Sequence, residues 1–153
     1  MVKRILVLFV TLCVAFGAVS ALVWLGSPER SMLTMLNDTK KDGLNGLRPH
    51  LTEEACQTLD ELLDKAENNS WLKMIPAVAK DGIRAVVEAE IHKVVWTLGE
   101  IQITEDRATV PIGFNYESKI AGTVRIQLIR DGWDWKVSGI GNLSIDKLAL
   151  FNS

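Results

Sequence analysis

The chain predicts an α+β fold: an N-terminal transmembrane helix, then two or three helices packed on an antiparallel sheet of about four strands. Three observations carry this reading. Ile5 to Gly26 runs without a single charge, directly behind Lys3 and Arg4. From Ser27 to about His92, apolar residues recur at spacings of three and four, the period of a helix with one buried face. From about Lys93 the period drops to two, that of a strand with one face buried. Helices first and strands afterwards point to α+β, because a parallel α/β sheet alternates the two.

As a helix rising ~1.5 Å per residue, the uncharged run would reach ~33 Å, enough for a ~30 Å hydrocarbon core. A cleaved signal peptide is the other reading, with Ile5 to Phe16 as the apolar stretch and Ala18-Val19-Ser20-Ala21 as the small-residue site. Leu22-Val23-Trp24-Leu25 carry the apolar run past that site. Trp24 also suits the headgroup level of a span, where an indole is half apolar and half wet. A retained anchor is therefore the expectation. Cys13 follows Val10-Thr11-Leu12 and lacks the small residues that lipoprotein processing uses. Lys3 and Arg4 precede the run, whereas Glu29 and Arg30 cancel just after it. The positive-inside rule then places the N-terminus in the cytoplasm and the rest outside the cell membrane. Residues 1–26 are read as the anchor (or signal peptide) and 27–153 as one extracytoplasmic domain.

Beyond Lys3 and Arg4 the chain carries 15 Lys and Arg against 19 Asp and Glu. A mildly acidic domain without a basic cluster disfavours nucleic-acid binding, which needs grouped cations to displace counterions. Cys56 is the single cysteine after the anchor, so no disulfide within the domain is expected.

Ser27-Pro28-Glu29 reads as a helix start: a hydroxyl for an orphan amide, proline at the first helical position, and a carboxylate at the positive end of the dipole. Met32, Leu33, Met35 and Leu36 give this helix its apolar side, and Asp42-Gly43 is its expected end. Gly43 to His50 forms a break. Thr52 caps the next helix, in which Ala55, Cys56, Leu59, Leu62, Leu63 and Ala66 share a face opposite Asp60, Glu61, Asp64 and Lys65. Asn68-Asn69-Ser70 stops it. Ala77 to about His92 is helical again, with Val78, Ile83, Val86, Val87 and Ile91 as candidate core and Asp81-Gly82 as a potential split. The strands follow. Val95 to Ile103 alternates with Trp96, Leu98, Glu100 and Gln102. Val110, Ile112, Phe114 and Tyr116 share one face, and Val124, Ile126 and Leu128 another. Asp131-Gly132 reads as a two-residue hairpin turn, after which Trp133, Trp135 and Val137 alternate with polar residues.

Two stretches, DGLNGLRPHLTEEA (Asp42 to Ala55) and IQLIRDGWDWKVSGIG (Ile126 to Gly141), together with the helices-then-meander order, resemble the nuclear-transport-factor-2-like superfamily. The resemblance covers roughly Ser27 to Leu143, and more narrowly is to the small bacterial members that follow an N-terminal span. It implies a sheet curved around a long helix like a cone, with a pocket at the open end. In enzymatic members similar to ketosteroid isomerase that pocket holds a carboxylate base with a tyrosine or second acid. Tyr116 is the only tyrosine here, and no carboxylate maps onto the family's base.

The remaining chemistry is sparse. His50 and His92 are the only histidines, too few for a zinc site, although His92 and Glu88 would share a helix face. Cys56 falls on the apolar side of its helix, where a thiol behaves as a small hydrophobe. Asp60 with Asp64, and Glu88 with Glu90, are carboxylate pairs on helices whose polar faces are expected in water. Gly139-Ile140-Gly141-Asn142 is a weak glycine-loop candidate, lacking a third glycine. Trp133 and Trp135 read first as sheet core and second as a ligand or partner surface, which Trp96 and Trp71 would join, with Tyr116 as a further ligand-binding candidate.

The sequence therefore predicts a membrane-anchored extracytoplasmic binding or assembly module, without enzymatic activity, metal or cofactor, that takes a protein partner or a small apolar ligand. The alternative is a small-molecule enzyme, isomerase- or hydrolase-like, with Tyr116 and a nearby carboxylate as acid and base.

Overall fold

The computed structural model describes residues 26–70, 72–74 and 76–148. The topology charges Lys3 and Arg4, and the expected span Ile5 to Gly26 except for Gly26 itself, lie outside the described residues, as do Trp71 and Ile75. Among the described residues no helix is long and apolar enough to cross a membrane.

The fold is α+β, with the helices preceding an antiparallel sheet. Helix α1, Pro28–Leu47, starts as its sequence dictates: the Ser27 hydroxyl accepts from the Arg30 N–H at 3.2 Å, and proline opens the first turn. It does not end at Asp42-Gly43. Gly43 adopts φ 62°, ψ −137°, and the helix kinks there and continues to Leu47. The kink leaves the Leu44 N–H without its helical acceptor. The Glu88 carboxylate takes that hydrogen through both oxygens, at 3.0 and 2.9 Å. A 3-10 turn, Arg48–His50, leads into α2, Glu53–Glu67, whose cap Thr52 accepts from the Ala55 N–H at 3.2 Å.

Helices α3, Pro76–Asp81, and α4, Ile83–Glu90, are one periodic run split at Gly82, which takes φ 80°. Ile83, Val86, Val87 and Ile91 are half-buried, not core as expected. Helix α4 packs beside α2 and α3, and none of its residues belongs to the buried cluster on the inner face of the sheet.

The sheet has five strands instead of about four: β1 Val94–Leu98, β2 Gln102–Thr104, β3 Arg107–Tyr116, β4 Ile120–Asp131 and β5 Asp134–Leu148. Its order is β1-β3-β4-β5, with β2 also paired to β3, and every pairing is antiparallel. The extra strand arises because the run from Val95 to Ile103 breaks at Gly99. The Gly99 N–H donates to the Pro111 carbonyl at 2.8 Å, and a Cβ there would come within 2.9 Å of the proline ring. Side-chain parity slips across this break: Trp96 and Leu98 face the core, and then Ile101 does.

Ala108, Val110 and Ile112 of β3, Ile126 and Leu128 of β4, and Trp135 and Val137 of β5 form the buried inner face of the sheet, on which α1 lays Met32 and Met35. One buried polar group stands out in α1. Thr39 is buried, and its hydroxyl has no hydrogen-bond partner among the described residues. A buried unpaired hydroxyl costs ~1–3 kcal/mol. Thr39→Val keeps the shape and is expected to stabilise the domain by ~1 kcal/mol in urea unfolding; a loss of that size would show that the hydroxyl has a partner in solution.

The β4–β5 hairpin differs from expectation by one residue. Asp131 pairs with Asp134, so the turn is Gly132-Trp133, with Gly132 at φ 64°. Positive φ at the first central residue alone is the type II′ pattern, which glycine fits. The shift lifts Trp133 out of the strand. Farther along β5, Gly139 to Asn142 is strand and not a glycine loop. Three register irregularities interrupt the β4–β5 pairing, and between them Ile140, Leu143 and Ile145 lie opposite Ile126, Val124 and Gly122. Among the described residues, backbone hydrogen bonds reach the outer edge of β5 at its start. There the Thr52 N–H donates to the Val137 carbonyl at 2.9 Å, and the Ser31 hydroxyl accepts from the Trp135 N–H at 3.2 Å.

Candidate functional site

The start of β5 and the first turns of α1 enclose an open cleft of about 300 Å³, closed on its third side by Pro49 and His50. Arg30, Ser31 and Thr34 come from one helical face, and Asp134, Trp135 and Lys136 from the strand. Trp135 is its foundation. Its ring is 4% exposed, its indole N–H donates to the Gly26 carbonyl at 2.9 Å, and the Arg130 guanidinium sits 5.5 Å from its centroid. The walls carry both signs of charge. His50 Nε2 lies 2.8 Å from an Asp38 carboxylate oxygen. Lys136 Nζ lies 2.7 Å from Asp131, which holds the ammonium above its ordinary pKa. Two hydroxyls, Ser31 and Thr34, and charged groups of both signs stand beside the apolar surfaces of Pro49 and Trp135, so the cleft presents polar and apolar faces together.

The second candidate cluster surrounds Tyr116. Its O–H donates to the Glu90 carboxylate, and Lys93 Nζ lies 2.8 Å from Glu90 and 3.7 Å from Glu117. The Lys93 hydrogen bond first, and the Tyr116 bond second, hold Glu90 below the usual carboxylate range. The bond to Glu90, followed by burial, pushes Tyr116 above the ordinary phenol. A general base works best with its pKa near the operating pH, and this environment moves Glu90 the other way. The cluster is a half-exposed ion-pair network at the end of α4. Tyr116→Phe is expected to raise the Glu90 pKa while leaving it below the unperturbed value, because the larger cause, Lys93, remains. Carboxyl ¹³C titration of parent and variant reads this directly, and an unchanged Glu90 would show that the phenol bond is absent in solution.

The predicted aromatic surface is not assembled. Trp96 packs tilted against Phe114, ring centroids 6.4 Å apart, on β1. Trp96 on β1 and Trp135 on β5 lie on opposite edges of the sheet, and Tyr116 closes β3 beside Ile120, the end of β4 away from Trp135, so neither Trp96 nor Tyr116 is near Trp135. Trp133 and Trp135 do not share a strand face: Trp135 is core and Trp133 stands 73% exposed on the turn.

The other residue pairs resolve as structural contacts. Asp60 receives both Arg48 amino groups, at 3.1 and 2.5 Å, and Arg84 at 3.4 Å; the Arg48 bond, above all, lowers its pKa. Asp64 pairs with Arg84 at 2.8 Å. Glu88 is committed to Leu44, whereas the His92 ring meets the Lys40 carbonyl, so these two do not converge. Cys56 is a free thiol 3.6 Å from the Arg48 carbonyl. Among the described residues no group of three or more acidic, histidine or cysteine side chains is placed to hold a metal ion.

Sequence reading names Glu90 only as the neighbour of Glu88 and misses its pairing with Tyr116, and it misses Lys93 and the cleft residues Arg30, Ser31 and Thr34. Glu90 and Tyr116 are 26 residues apart and meet only through the fold, so no spacing rule could pair them. No family model, curated protein or solved structure matches the chain.

Proposed function

We propose that this protein is a single-pass, membrane-anchored binding module, with residues 5–26 as the span, the N-terminus in the cytoplasm and residues 27–153 as an extracytoplasmic domain. The observation that carries the reading is the buried bond from the Trp135 indole to the Gly26 carbonyl. It ties the end of the long uncharged run into the domain core. Helix α1 begins two residues later, so no flexible spacer separates span from domain. The domain follows the cone plan of nuclear-transport-factor-2-like proteins. Support comes from the helices-first order, the antiparallel meander, α1 laid over its inner face, and the irregularities that bend β5. The cleft of Arg30, Ser31, Thr34, His50 and Lys136 is the binding site, and a small polar ligand or a polar segment of a protein partner is its occupant.

A second reading, an acid–base enzyme, is favoured by the Tyr116–Glu90 contact and opposed by the lowered pKa of Glu90. Carbonate washing of membranes, followed by protease added from outside, tests the first reading. The chain is expected to stay with the bilayer and its domain to be digested from the outer side. Recovery of a shortened, freely soluble chain from the periplasm or medium would mean a cleaved signal peptide instead.

A further inference from the structure

Trp133 occupies the tip of the β4–β5 turn, and among the described residues no side chain covers it. An indole at a turn tip contributes nothing to the core and costs solvation of a large apolar surface. Its position gives it a use. Trp135 lies two residues along β5, ~7 Å of strand, and that residue holds Gly26, the point at which residues 1–25 leave the described domain. The Ser31 hydroxyl on the Trp135 N–H fixes the first turns of α1 at this same end of the sheet. The turn tip and the chain exit therefore lie side by side.

We propose that the β4–β5 turn rests in the headgroup layer of the bilayer, with Trp133 as a second, non-covalent contact beside the span. The inference rests on residues 5–26 being that span. Indoles favour the headgroup level because the ring is apolar and the N–H can stay wet. Charge is not the driving force. Lys136 at this end is paired with Asp131, Arg130 lies over the Trp135 ring, and Asp134 and Asp131 offset the cations. The contact is therefore made with zwitterionic lipid as well as with anionic lipid. Two points of attachment fix the tilt of the domain and turn the cleft beside Trp135 toward the membrane surface.

The test uses the full chain, labelled with fluorotryptophan, in phosphatidylcholine nanodiscs with and without a nitroxide-bearing phosphatidylcholine. Trp133→Phe and Trp24→Phe variants assign the two ¹⁹F resonances; Trp133 is exposed, so its replacement leaves the fold intact. The expected result is loss of both the Trp133 and the Trp24 signals by paramagnetic broadening, with the Trp96 signal retained, at low and high salt alike. Loss of Trp24 alone overturns the turn contact while leaving the span in place. Retention of both signals overturns the contact and the span together. Return of the Trp133 signal at high salt would replace the indole contact by an electrostatic one and so overturn the proposal.

Discussion

Trp135→Ala is expected to lower the unfolding free energy by ~3–5 kcal/mol, the range for removing a large aromatic from a packed core. Against a typical total of ~5–15 kcal/mol, that leaves the domain near its limit. Three losses combine. The ring fills the core beside Val137, Ile126 and Leu128. Its N–H is the donor for the buried Gly26 carbonyl. Its face carries Arg130, a cation–π contact worth ~0.5–1 kcal/mol where partly exposed. Trp135→Phe separates these, keeping most of the volume and losing the donor, and should cost ~1–3 kcal/mol for the stranded carbonyl. Trp133→Ala is the control and should fall within ~0.5 kcal/mol of the parent, as exposed positions do. Urea unfolding followed by circular dichroism reads all three. Equal losses at positions 133 and 135 would mean that the turn, and not the core, holds this end of the sheet.

The second large effect is at Gly43. Gly43→Ala must place a Cβ at φ 62°, ψ −137°, a backbone combination that side chains rarely adopt, and 1.9 Å from a Glu88 carboxylate oxygen. Backbone strain of this kind costs ~1–3 kcal/mol. Moving Glu88 aside also strips the Leu44 N–H of its acceptor, for a further ~1–3 kcal/mol. A combined loss of ~2–6 kcal/mol is expected in the same unfolding assay. Amide exchange at Leu44 should accelerate by more than global destabilisation explains. A Gly43→Ala protein as stable as the parent, with Leu44 still protected, would show that α1 can run straight through residue 43.

Some of this arrangement is legible in the sequence because it depends on neighbours along the chain. The Ser27 and Thr52 caps, the split at Gly82 and the alternation of β3 and β4 all follow from local chemistry. The kink at Gly43 was half visible. Glycine marks the place, but whether the chain stops or bends there depends on Glu88, 45 positions later. The turn at Gly132-Trp133 was misplaced by one residue because Asp131-Gly132 and Gly132-Trp133 are both acceptable two-residue loops; pairing of β4 through Asp131 decides between them. Alternation could not separate Trp133 from Trp135 once that register slipped. The cleft was invisible for a different reason: Arg30, Ser31 and Thr34 read as an ordinary polar helix face until Trp135 is brought beside them.

The bond between Trp135 and Gly26 spans 109 residues, and the one between Trp135 and Ser31 spans 104. A chain made from its N-terminus cannot form either until its last strand has been synthesised. Helix α1 then spends most of that time with Met32 and Met35 lacking the strands that cover them. Contacts this distant slow folding, because the loop must close before they stabilise anything. Folding of the domain is thus timed by the emergence of β5, and a truncation before Trp135 should leave a chain that needs a chaperone instead of a smaller stable domain.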